Sequence, residues 1–86
     1  MPQIKIYKTQ RCPYCVMASR FLREVKGVEP EEIDLTGDWE ARKALMERTN
    51  QRTVPQIYIG DVHVGGYDQL RALDRNGGLD PLLAAE

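Results

Sequence analysis

Residues 4–22 read IKIYKTQRCPYCVMASRFL, and their pattern changes halfway along. Before the cysteines, Gln3 to Tyr7 alternates polar and β-forming residues, which predicts a short strand. Lys8 to Arg11 is a polar loop. After it, Tyr14, Met17, Ala18, Phe21, Leu22 and Val25 follow i, i+3, i+4, i+7, i+8 and i+11. That spacing is one face of a helix, which Gly27 should end. Strand, loop and helix therefore meet at Cys12 and Cys15.

The rest of the chain extends the same alternation of elements. VEPEEIDL, from Val28 to Leu35, predicts a second strand with Ile33 and Leu35 on one face, either weak or at a sheet edge because of Pro30. Asp38 is the expected N-cap of a helix carrying Trp39, Ala41, Ala44, Leu45 and Met46 and ending near Asn50. TVPQIYIGDVHVGGYDQL, from Thr53 to Leu70, predicts a strand at Gln56 to Ile59, a Gly60-Asp61 turn and a strand at Val62 to Val64. Gly65-Gly66 then leads into a helix from Tyr67 to Arg75, stopped by Asn76-Gly77-Gly78. Asp80 and Pro81 read as the N-cap and first residue of a short terminal helix. The order is β-α-β-α-β-β-α-α, an α/β class. The first two strands, joined through a helix, should be parallel with a right-handed crossover. The last two, joined by a tight turn, should be antiparallel.

At 86 residues, the chain is expected to form one domain spanning 1–86. Its 12 basic and 13 acidic residues leave no basic excess, so no broad nucleic-acid face is expected. The start, MPQIKIYKTQ, has neither an apolar run nor a small-residue cleavage site. No stretch approaches the roughly 20 apolar residues of a membrane span. The expectation is a monomer in the cytoplasm, where a close cysteine pair is more often catalytic or metal-binding than structural.

Three chemistries compete for Cys12 and Cys15. A structural zinc site needs four ligands, and His63 is the one histidine available beside two cysteines. Haem attachment wants histidine after the second cysteine, where Val16 stands. A structural disulfide closing so short a loop would add little stability in the chain-entropy model. Redox exchange fits better, since C-x-x-C near a βαβ pattern is the thioredoxin-like signature. Pro13 suits the first helical position, which places Cys12 at the N-cap. Its sulfur then faces free N–H groups, including that of Cys15, and the positive end of the helix dipole. Both favour thiolate over thiol, and Lys8 and Arg11 add positive charge. Cys15, bordering the apolar face, should be less exposed and harder to ionise. Tyr14 has two readings, a core residue or the wall of a substrate groove.

CPYC at 12–15, TVPQIYI at 53–59, GGYDQL at 65–70 and GGLDPLL near the end together resemble the glutaredoxin family, in particular the small bacterial dithiol members. The resemblance spans essentially the whole chain. It implies a thioredoxin-like fold, with a four-stranded mixed sheet flanked by helices. It also implies reduction of glutathione mixed disulfides and protein disulfides, with glutathione as reducing co-substrate and no tightly bound cofactor or metal. Ribonucleotide reductase is among the protein partners it suggests. Cys12 would be the nucleophile, Cys15 the resolving thiol, and the two would form the redox disulfide. Pro55 would be cis, leaving the Val54 backbone free to pair with an extended peptide.

Glutathione carries two carboxylates, so its site needs cations and free donors. Gly66 and the N–H groups of Tyr67 and Asp68 are candidates for one carboxylate. Asp68 either holds the ligand's ammonium or caps its own helix. Gln51 or Arg52 would meet the other carboxylate, with Tyr14, Thr53, Val54 and Pro55 lining the groove. Family members often carry lysine where this chain has Thr9, with Lys8 one earlier. Tyr67 stands where relatives often have a small residue or cysteine. His63, Trp39 and Met46 are expected to be structural. Two rivals remain at this stage: a redoxin fed by a flavoprotein reductase, and a module that binds an iron–sulfur cluster between two chains, which Pro13 disfavours.

Overall fold

The computed structural model describes residues 2–85. The elements follow the expected order: β1 (Ile4–Lys8), α1 (Pro13–Arg20), a π-helical turn continuing it (Phe21–Val25), β2 (Glu31–Asp34), α2 (Trp39–Thr49), β3 (Gln56–Ile59), β4 (Val62–Gly65), α3 (Tyr67–Arg75) and α4 (Leu79–Ala84). The four strands form one mixed sheet in the order β2-β1-β3-β4. β1 pairs parallel with β2 and antiparallel with β3, and β3 pairs antiparallel with β4. This is the thioredoxin-like arrangement, with β2 a short edge strand that starts just after Pro30. Among the described residues, no helix is long and apolar enough to cross a membrane.

Strand alternation divides the sheet into two faces. Ile4 and Ile6 of β1 stand opposite Ile59 and Ile57 of β3. All four are buried with Ala18, Phe21 and Leu22 of the first helix, Leu70 of α3, and Leu79 and Leu83 of α4. Burying each such aliphatic side chain is worth roughly 1.5–3 kcal/mol, so this face carries most of the apolar stabilisation. The other face presents Tyr7 and Tyr58, edge to face at 5.9 Å. The Arg48 guanidinium of α2 lies over both rings, at 5.3 and 5.6 Å. Asp38 caps α2, its carboxylate accepting from the Ala41 N–H at 3.1 Å. Asn50 closes the helix in the left-handed conformation, with φ 60°.

Three expectations need correction. Met17 and Val25 were assigned to the apolar face of α1, yet they are 43% and 65% exposed, while Tyr14, read either as core or as groove wall, is 56% exposed and so is not core. The buried line is Cys15, Ala18, Ser19, Phe21 and Leu22. From Phe21 the helix takes a wider turn, with the Lys26 N–H donating to the Phe21 carbonyl at 3.2 Å, and Val25 rotates off the 3.6-residue face. The terminal helix begins at Leu79, with Gly78 at its N-cap, not at Asp80. Fully buried Leu79 sets that start, and Asp80 instead pairs with Lys26 at 2.9 Å. Trp39, expected to be structural, is instead 63% exposed, because α2 buries only Leu45 and Thr49.

The Val54–Pro55 peptide is cis. Gln56, the next residue, has no exposed surface and ties this loop to the sheet. Its amide nitrogen lies 3.0 Å from Gln51 Oε1 and 2.9 Å from the Thr53 carbonyl. A backbone carbonyl can only accept, so that side of the amide must be the NH₂. Gln56 Oε1 therefore accepts from His63 Nε2–H of β4 at 2.7 Å, which fixes the histidine tautomer. His63 also stacks on Tyr58 at 5.0 Å, so its expected structural place holds. Replacing Gln56 by methionine keeps the volume but strands two acceptors and one donor. The expected loss is about 1–3 kcal/mol, seen as a lower urea midpoint at unchanged slope. A midpoint equal to wild type would contradict the role given to this amide.

Candidate functional site

Arg11 turns the chain into α1 with φ 60°, a left-handed conformation uncommon for a residue with a side chain. Cys12 then takes an extended backbone, φ −106° and ψ 104°, as the N-cap. Pro13 is the first helical residue, as its fixed φ and missing donor allow. The Cys15 N–H donates to Cys12 Sγ at 3.3 Å, so a thiol takes the role usually played by serine or aspartate. Cys12 Sγ also lies 3.7 Å from the Val54 carbonyl, to which its S–H can donate. The cysteine is thus gripped between the helix N-terminus and the cis-proline loop.

The two cysteines, both free thiols, are unequal. Cys12 is partly exposed, whereas Cys15 is 1% exposed. Burial, then the hydrogen bond to Cys12, push the Cys15 thiol from its ordinary 9.0 up to about 12. The negative charge of Cys12 acts in the same direction, while a backbone bond at Thr9 and the Lys8 charge oppose it.

Seven of the expected binding residues come together in one cleft of about 290 Å³: Tyr14, Thr53, Val54, Pro55, Gly66, Tyr67 and Asp68. Tyr14 is therefore a groove residue, its ring 6.2 Å from that of Tyr67. The Tyr67 hydroxyl is fixed by the Arg71 guanidinium, which donates to it at 2.7 Å and lies 4.6 Å over the Phe21 ring. Gly65 enters α3 with φ 109°, where a side chain would be strained. As the first residues of α3, Tyr67 and Asp68 carry N–H groups without intrahelical partners.

The structure separates other residues that the sequence reading had grouped. Lys8 stands in β1 in register with Asp34 of β2 and does not line this cleft. Gln51 gives its side-chain oxygen to Gln56. Arg52 opens onto two neighbouring clefts beside α2 instead. Three contributors were not anticipated. Gln69 caps α3 by accepting from the Gly66 N–H at 2.9 Å, which leaves Asp68 free of that duty. The G-x-x-Q spacing was the available signal for it. Arg42, which donates to the Arg52 carbonyl at 3.4 Å, and the Gln56–His63 link had no local signal. Among the described residues, no three metal-binding side chains cluster together.

Such a site, a capped sulfur beside an open cleft with a protonated thiol one turn behind it, is suited to thiol–disulfide exchange. The family model for glutaredoxin matches residues 4–64. A glutaredoxin of Pseudomonas aeruginosa is 49% identical over 85 residues, covering 99% of this chain and 100% of that one. The solution structure of glutaredoxin from Brucella melitensis superposes with a TM-score of 0.85 at 47% identity, over 96% of this chain and 89% of that one. A crystal structure of a buckwheat glutaredoxin–glutathione complex gives a TM-score of 0.86 at 29% identity, over 95% of this chain and 76% of that one. The chain belongs to the glutaredoxin family of thiol–disulfide oxidoreductases.

Proposed function

We propose that this chain reduces glutathione mixed disulfides and protein disulfides at the expense of glutathione, with Cys12 as nucleophile and Cys15 as resolving thiol. The observation that carries the proposal is the inequality of the two sulfurs. Cys12 is accessible and accepts the Cys15 N–H, while Cys15 is buried and keeps its proton.

On a glutathionylated protein, the Cys12 thiolate attacks the glutathione sulfur. The mixed disulfide breaks, and the protein thiolate leaves and takes up a proton. A second glutathione thiolate attacks the glutathione sulfur now bound to Cys12, releasing glutathione disulfide and the Cys12 thiolate. The Cys15 N–H and the start of α1 stabilise Cys12 as a leaving group. The buckwheat complex supports glutathione as the bound partner. The cleft between Tyr14 and Asp68 would hold it. The Tyr67 and Asp68 N–H groups would face one carboxylate, the Asp68 carboxylate the ammonium, and the Val54 backbone the peptide. Arg52, in a neighbouring cleft, would face the other carboxylate.

On a protein disulfide, Cys12 forms the mixed disulfide and Cys15 then attacks the Cys12 sulfur, expelling the second protein thiolate. Two glutathiones reduce the resulting Cys12–Cys15 bond. The pair has a built-in order. The hydrogen bond and negative charge of Cys12 both hold the proton on Cys15. Burial, the largest cause, remains once Cys12 is in a mixed disulfide, but the Cys12 charge is gone and its part of the upward shift with it. Resolution follows attack.

Cys12→Ser should abolish glutathione-coupled reduction of both substrate types. Cys15→Ser should keep activity on glutathione mixed disulfides and lose it on protein disulfides. A coupled assay in which Cys12→Ser retained full activity would sink these assignments. Stability offers a second check. Folded Cys15 binds its proton up to about 12, and the unfolded chain releases it near 9.0. The contribution is therefore complete below the unfolded value and is lost as pH rises through this window. Reduced wild type should lose stability across that window more steeply than reduced Cys15→Ser, measured by urea midpoints. Parallel slopes would contradict the raised value.

A further inference from the structure

Trp39 has no place in the site just described. It is the one tryptophan of the sequence, 63% exposed at the start of α2, and it does not line the cleft between Tyr14 and Asp68. Lys43 and Met46 follow it at i+4 and i+7, so the three share a helix face, with Arg42 at its edge. Trp39, Met46 and Arg52 line both of two clefts, of about 590 and 430 Å³. The larger reaches Thr9 and Gln10, in the loop leading to Cys12. A polypeptide with its sulfur at Cys12 can thus continue along a groove to the indole.

The charges around this face are unbalanced. Among the described residues only Arg20, Arg23 and Lys26 have a carboxylate partner, so what marks this face is the gathering of three cations on it, Arg42, Lys43 and Arg52, and not their being unpaired. The carboxylates lining the two clefts are Asp38 and Glu47, and Asp38 is engaged in capping α2. An exposed indole flanked by a thioether and gathered cations has the composition of a protein-binding hot spot.

We propose that this face of α2 docks an extended, acidic segment of the client protein whose disulfide is reduced. Trp39 and Met46 supply the apolar anchor, and Arg42 and Lys43 the complementary charge. The inference rests on the function proposed above and adds the class of client. Only the Arg52 end of the larger cleft is assigned to glutathione, so losing Trp39 should weigh on protein substrates and not on small ones.

The test has a binding arm and a kinetic arm. Fluorescence of Trp39 is titrated with a cysteine-free acidic peptide, its neutral counterpart and a basic counterpart. A saturable blue shift with the acidic peptide alone, weakened by salt and by Lys43→Gln, is the expected result. No shift, or an equal shift with the basic peptide, overturns the proposal. So does Trp39-dependent dimerisation on sedimentation, which would assign the face to a second copy of the chain. In the kinetic arm, Trp39→Ala should raise KM about five- to tenfold for a glutathionylated acidic peptide at unchanged kcat, the effect of losing an aromatic anchor. It should leave glutathionyl-cysteine turnover intact. Equal effects on both substrates would overturn the docking role. Wild type inactive on glutathionyl-cysteine would count against the parent reading, and the fluorescence arm would still decide docking.

Discussion

A single hydrogen bond at the start of α1, from the Cys15 N–H to Cys12 Sγ, organises the site. A helix N-terminus leaves its first N–H groups without partners, and something must satisfy them. Here a sulfur does so. That choice forces Cys12 out of the helix into extended backbone, where one side is open to a partner. Pro13 holds the boundary, since a residue without an N–H costs nothing at the first helical position. One turn on, Cys15 falls on the buried face with Ala18, Ser19 and Leu22. One bond therefore makes one sulfur accessible and the other shielded, although the C-x-x-C pattern is symmetric.

The rest of the fold keeps this corner in place. β1 lies between β2 and β3 and ends just before the active loop. Its Ile4 and Ile6 lock it against β3 and the first helix. The opposite wall of the site is the loop from Thr53 to Pro55, which has no regular hydrogen-bonding of its own. Gln56 supplies it, reaching Gln51 and Thr53 on one side and His63 of β4 on the other. A buried amide with every partner satisfied holds the Val54 carbonyl 3.7 Å from the Cys12 sulfur. The sheet thus positions both walls, one through its apolar face and one through a polar side chain.

Much of this was legible because it is local. Cys12 at the N-cap, Asp38 capping α2, the close of that helix at Asn50 and the β3–β4 turn all depend on residues within a few positions of each other. The motifs around Pro55 and Gly66 located the cleft for the same reason. What failed depended on a hidden assumption or on distant partners. Val25 left the core because one turn of the helix is wider than 3.6 residues. Ser19 entered it although it is polar, because its position on the helix outweighs its character. Asp80 lost its capping role because the helix begins at fully buried Leu79 with Gly78 at its N-cap, and Lys26, far away in sequence, became its partner. Gln56 and His63 are seven residues apart on separate strands, and no periodicity predicts that they bond. Trp39 was expected to be structural, yet the buried face of α2 is set by Leu45 and Thr49 and leaves it exposed.

The most direct test of the central claim reads both sulfurs of the reduced protein at once. Iodoacetamide labelling, mapped by mass spectrometry across a pH series, reports each thiol separately. Cys12 should label at about pH 8 while Cys15 stays unlabelled, its buried thiol holding a proton up to about 12. Equal labelling of Cys12 and Cys15 in the native protein at about pH 8 would contradict the division of roles between them.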